Sequence, residues 1–156
     1  MPRRRAKAPT SRAREASSRY TVARAGPVVV DASIAFLWFA DEPNREGADR
    51  LLEASVPLFA PDLMAVEVAN AWWKRSRRGE MEAVDVEQAV TLLFGLRIAW
   101  KPSAPLLRSA VRLAAELGHP VYDCVYLALA VEHAASIATV DERLRRAAER
   151  VDIRLW

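Results

Sequence analysis

The sequence predicts an α/β fold, a parallel sheet with helices on both faces, and three observations predict it. Short apolar, β-branched runs alternate with longer amphipathic stretches from residue 28 onward. The first run is apolar throughout, as a strand buried on both faces must be. Two runs lead into an aspartate, Asp31 and Asp141, and sheets of this kind carry their sites just past the C-terminal ends of strands.

Each element has its own local reason. Val28, Val29 and Val30 lie between Pro27 and Asp31 and read as a short buried strand. A helical stretch over 34–39 is broken by Asp41-Glu42-Pro43. Residues 46–55 read as a second helix, with Ala48, Leu51 and Leu52 on one side. Residues 56–60 are the second strand, and Pro57 stands at its start, where a missing donor is tolerated. Pro61-Asp62 opens a long helix whose stripe is Leu63, Val66, Ala69 and Trp73, and Arg77-Arg78-Gly79 closes it. Asp85 is expected to cap a helix reaching Leu93. Residues 96–100 are a short strand. Residues 104–117 are amphipathic, with Leu106, Leu107, Ala110, Val111, Ala114 and Leu117 on one face and Gly118 as the stop. Residues 122–134 form a nearly all-apolar helix, buried on most sides. Residues 136–141 read as a strand ending in an acid, 142–150 as a charged surface helix, and the alternating 151–156 as a final strand.

Composition limits the chemistry. With 156 residues, 52% hydrophobic and 28% charged, the chain holds one globular domain. A single cysteine, Cys124, excludes an intrachain disulfide and a cysteine-rich zinc site and fits a reducing, cytoplasmic setting. His119 and His133 are the only histidines, so a His-rich metal site is excluded. No Gly-x-Gly-x-x-Gly or Walker-type loop occurs, no internal repeat is visible, and no apolar run is long enough to span a membrane. The basic N-terminus lacks the apolar stretch of a secretory signal. The net charge of +3 is an average of two unlike parts. Residues 1–25 hold eight basic side chains and one acid, which leaves residues 26–156 at −4. The sequence therefore predicts a disordered basic arm, 1–25, on a mildly acidic domain, 26–156.

Four acids are placed where a site would be. Asp31 and Asp141 end strands, Asp123 opens the buried helix, and Glu67 lies beside the apolar stripe of the long helix, with Asn70 and Lys74 continuing its line. Singly, each has an ordinary structural use as a cap, a helix-dipole partner or a half-exposed helix residue. Together they are costly, because three lie in apolar contexts. Two carboxylates ~4 Å apart repel by about 4 kcal/mol at an effective dielectric near 20. A converging set needs raised pKa values or a cation, and all-oxygen donors suit Mg²⁺ or Mn²⁺. Such a site is suited to phosphodiester hydrolysis. Ser33 and Thr139 each lie two residues from an acid, where a hydroxyl can orient a carboxylate or act as a local cap.

Val-Val-Val-Asp31-Ala-Ser33, then Pro-Asp62-Leu with Glu67-Val-Ala-Asn70, then Tyr122-Asp123-Cys-Val-Tyr126, then Thr139-Val-Asp141 occur in this order. The set resembles the PIN-domain ribonucleases, and among them the VapC toxins of toxin–antitoxin pairs, over about residues 28–156. The resemblance implies a three-layer α/β/α sandwich with a central parallel sheet of four to five short strands. It implies a Mg²⁺- or Mn²⁺-dependent endoribonuclease in which Asp31, Glu67, Asp123 and Asp141 form the acidic quartet. Asp31 and Asp123 match its direct metal ligands, and Ser33 matches its small hydroxyl residue. It also implies an RNA substrate, a cognate VapB-like antitoxin, a homodimer and no membrane.

The remaining residues are read from their surroundings. Lys74, Arg75, Arg77 and Arg78 form a basic patch after Glu67, a solvated helix end or an RNA-backbone contact. Trp73 is expected in the core and Trp72 at a partner surface. Phe36, Trp38 and Phe39 are expected to pack in the core, Cys124 to be a small buried apolar residue, and His119 to have no catalytic role. The competing reading is a PIN-like protein that binds RNA or a partner without cutting. A haloacid-dehalogenase type of phosphatase is disfavoured, because Asp31-Ala32-Ser33 lacks the second aspartate.

Overall fold

The computed structural model describes residues 26–40 and 44–156, so the basic arm and the Asp41-Glu42-Pro43 break lie outside the described residues. Twelve elements follow one another. They are β1 (Val28–Val30), α1 (Ala32–Leu37), α2 (Arg45–Glu53), β2 (Leu58–Pro61), α3 (Leu63–Arg77), α4 (Ala83–Gly95), β3 (Ile98–Lys101), a 3₁₀ turn (Ala104–Leu106), α5 (Leu107–Leu117), α6 (Val121–Glu132), β4 (Ser136–Ala138) and α7 (Glu142–Arg150).

The sheet has the order β3-β2-β1-β4, and every pairing is parallel. From β1 the chain builds outward to β2 and β3, then returns to place β4 on the other side of β1. The β1/β4 seam is therefore the topological switch point, where a crevice opens past the strand ends. The register sets Val30 against Ala138, and Asp31 N–H donates to the Ala138 carbonyl at 3.0 Å. The final alternating segment contributes one parallel bridge, Leu155 against Ile137, so it is a one-residue fifth strand beside β4.

Helix α6 packs on β1, β2 and β4, and α5 packs along α6. Every residue from Cys124 to Ala130 is buried, which is why the sequence there lacks a polar stripe. Burial pushes the Cys124 thiol up to about 11, so this cysteine is an inert apolar residue. Gly118 closes α5 in the left-handed region at φ +64, a conformation that costs glycine no Cβ clash. Trp38 is buried with its indole N–H on the Ala48 carbonyl at 2.8 Å, and Phe39 meets Trp72 edge-on at 5.2 Å. Among the described residues no helix is long and apolar enough to cross a membrane.

Several boundaries and faces differ from the sequence expectation. In α3 the core stripe is Met64, Val68 and Trp72, while Val66 and Trp73 are 67% and 54% exposed. Trp72 is thus the core tryptophan and Trp73 the surface one. The helix is apolar on two adjacent stripes, and one position of rotation, about 100°, decides between them. In α5, Leu107 and Val111 are exposed although their period is helical. Helix α4 begins at Ala83 with Glu82 at its cap, so Asp85 lies inside the first turn. Strand β4 ends at Ala138, because Thr139 and Val140 leave the ladder to bond across the seam.

Candidate active site

Asp31 ends β1 and caps α1. Its Oδ2 accepts Ser33 N–H at 3.2 Å, the Ser33 hydroxyl, and the Thr139 hydroxyl at 2.9 Å. The two hydroxyls accept in turn. Ser33 Oγ takes Val140 N–H at 3.1 Å, and Thr139 Oγ1 takes Asp141 N–H at 3.0 Å. Two short side chains thus tie the end of β1 to the chain leaving β4 and fix one oxygen of a buried carboxylate. Asp141 lies one step beyond, as the cap of α7, its Oδ1 accepting Arg143 N–H at 2.7 Å and Leu144 N–H at 3.2 Å.

Two helices supply the other acids. Glu67 is half-buried on α3, where the Tyr126 hydroxyl of α6 donates to its Oε2. Asp123 is in the first turn of α6, with His119 Nε2 2.9 Å from its Oδ2, a close approach poorly aligned for hydrogen bonding. The four acids thus lie just past β1, on α3, in the first turn of α6 and at the start of α7.

Burial and neighbouring charges both act on these acids. Burial raises the Asp31 carboxyl above its ordinary range, against the lowering effect of the Ser33 and Thr139 bonds. Burial also raises Glu67, and repulsion from Asp31 and Asp123 adds to it, opposed by the Tyr126 bond. Burial raises Asp123 too. His119 opposes that rise, and Asp31 and Asp141 reinforce it. Tyr126 is pushed far above its normal range by burial and by the Glu67 charge, so it stays a neutral donor. Among the described residues no three Asp, Glu, His or Cys side chains close on one point as a finished metal cage. The donors that the four acids offer are all oxygen, the chemistry that a hard cation takes.

Not every expected residue joins them. Ser33 and Thr139 do. Asn70 is exposed one turn beyond Glu67 and bonds to none of the acids. At the end of α3, Arg75 and Arg78 pair with Glu80, and Arg75 also lies over the Phe36 ring at 5.5 Å, while Lys74 and Arg77 are exposed. Tyr126 and His119 are the contacts that sequence reasoning missed. Tyr126 was legible in principle, since it is one turn from Asp123 on the same helix. His119 is also four residues from Asp123, but Pro120 between them made it read as loop.

A parallel sheet flanked by helices, with a buried aspartate at its switch point, defines the class, and sequence comparison supplies the family. Residues 28–150 match the PIN domain family. The chain is 34% identical over 119 residues to Ribonuclease VapC3 of Pyrobaculum aerophilum, covering 75% of this chain and 91% of that protein. This chain belongs to the PIN domain family. The fold is shared with VapC20 of Mycobacterium tuberculosis, a sarcin-ricin loop cleaving toxin (TM-score 0.62, 16% identity, 77% of this chain and 94% of that one). It is also shared with VapBC2 of Rickettsia felis, solved bound to a DNA fragment from its promoter (TM-score 0.60, 13% identity, 83% and 97% covered).

Proposed function

We propose that this chain is an endoribonuclease, dependent on Mg²⁺ or Mn²⁺, and the toxin of a VapBC-like toxin–antitoxin pair. The observation that carries the reading is the buried Asp31 carboxylate just past β1, held by the Ser33 and Thr139 hydroxyls across the β1/β4 seam. Its support in the family is the identity to a ribonuclease over nearly that protein's whole length.

Asp31 and Asp123 are the carboxylates that would hold the cation, with Glu67 and Asp141 completing the cup. The bound cation would supply Lewis-acid activation of water and offset the charge that builds on the phosphate. The protein's share is orientation. Ser33 and Thr139 hold Asp31 by one oxygen, Tyr126 holds Glu67, and His119 braces Asp123. The Ser33, Thr139 and Tyr126 bonds fix Asp31 and Glu67 before substrate arrives, so little reorganisation accompanies the reaction. A cognate antitoxin is the expected protein partner, a homodimer the expected assembly, and the cytoplasm the setting in which both RNA and antitoxin are met.

Purified protein incubated with total RNA and Mg²⁺ or Mn²⁺ tests this. Discrete cleavage, with 5′ ends that map to defined positions, is the expected result, and EDTA or Asp31→Asn removes it. RNA binding with no cleavage under either cation would favour the non-cutting reading.

A further inference from the structure

A cleft of about 310 Å³ lies between the end of α5 and helix α7, lined by Leu117, Gly118, His119, Arg143, Arg146 and Arg150 among others. It is basic in a domain whose net charge is −4. Arg143, Arg146 and Arg150 are spaced three and four apart, so they form one stripe along α7, about 10 Å long at 1.5 Å per residue. None of the three makes an ion pair among the described residues. Arg150 is anchored by bonds to the Leu117 and Glu116 carbonyls at 2.8 and 3.5 Å, while the exposed Arg143 and Arg146 guanidiniums have no such anchor.

The cleft adjoins the acid cup on two sides. His119 lines it and stands 2.9 Å from Asp123, and Arg143 donates its backbone N–H to Asp141. A polyanion with one phosphate at the acids would continue along this stripe. The α3 patch offers less, because Glu80 already pairs with two of its arginines.

We infer that the α5–α7 cleft is the seat of the RNA backbone next to the scissile phosphate, with Arg143 and Arg146 each meeting a phosphate. This rests on the ribonuclease reading. Arginine suits the role, since its fork bonds two phosphate oxygens at once. Arg150 holds the cleft wall.

The test is equilibrium binding of a short fluorescent single-stranded RNA to the full chain in EDTA, as a function of NaCl, so that cleavage plays no part. Each lost phosphate contact lowers the slope of log K against log [salt] by about 0.7 for a single strand. Arg143→Gln/Arg146→Gln should therefore lower the slope by about 1.4 and weaken binding by about tenfold or more at low salt. Arg143→Lys/Arg146→Lys should restore most of the slope, which separates charge from folding. Lys74→Gln/Arg77→Gln should change it by less than half as much. An unchanged slope in the glutamine variant, a larger loss in the α3 variant, or a loss confined to antitoxin binding would overturn the inference. Those results leave the cleavage assay, and with it the ribonuclease reading, standing or falling separately.

Discussion

The two edges of the sheet are built from the same kind of strand and are suited to different things. At the N-terminal edge a hollow of about 560 Å³ opens between the starts of β2 and β3, lined by Ser55, Pro57, Leu58, Gly95, Leu96 and Arg97 among others. It holds space but no carboxylate or imidazole. Past the C-terminal ends of β1 and β4 lies a buried aspartate fixed by two hydroxyls, with Asp141 next along the chain leaving β4. Topology and desolvation favour the C-terminal edge as the candidate site, because reversal of strand order opens a crevice and burial makes an acid there costly.

That contrast can be broken by substitution. Asp31→Asn at the C-terminal edge should lower the RNA cleavage rate by about 10²–10³-fold, roughly 3–4 kcal/mol of transition-state stabilisation. Arg97→Gln at the N-terminal edge should leave it within about twofold, the range of surface substitutions. Tyr126→Phe sharpens the comparison, because it keeps the volume of a buried ring and removes only the donor to Glu67. Cleavage should fall by about tenfold, roughly 1.4 kcal/mol, with circular dichroism unchanged.

The smallest effect concerns stability. Burial raises Asp31, and burial with mutual repulsion raises Glu67 and Asp123, so the folded chain retains protons that the unfolded chain releases near pH 4. Cation-free protein is therefore most favoured by these groups at low pH. The advantage declines as pH rises toward their folded values and is flat beyond. Asp31→Asn should remove the Asp31 share and stabilise the cation-free protein at neutral pH by about 1 kcal/mol, about 3 °C in Tm. Arg97→Gln should match the parent protein in the same melts.

Three of the four candidate acids stand out in the sequence because each lies beside a strong local signal. Asp31 follows three valines, Asp123 opens an apolar helix, and Asp141 precedes a charged one. What was not legible depends on tertiary choice. Trp72 and Trp73 both extend plausible stripes, and only packing on the neighbouring helices selects Trp72. The Tyr126–Glu67 bond spans 59 residues, and no local period reports such a pair. The β4 boundary was read too long because Thr139 has the β-propensity of a strand residue, while its hydroxyl is used across the seam.

The central claim is that the C-terminal edge binds the divalent cation. Calorimetric titration of Mn²⁺ into the protein, without RNA, tests it most directly. Binding in the parent and in Arg97→Gln, with loss in Asp31→Asn and in Asp123→Asn, is the result this structure predicts. Undiminished binding in both aspartate variants would contradict it.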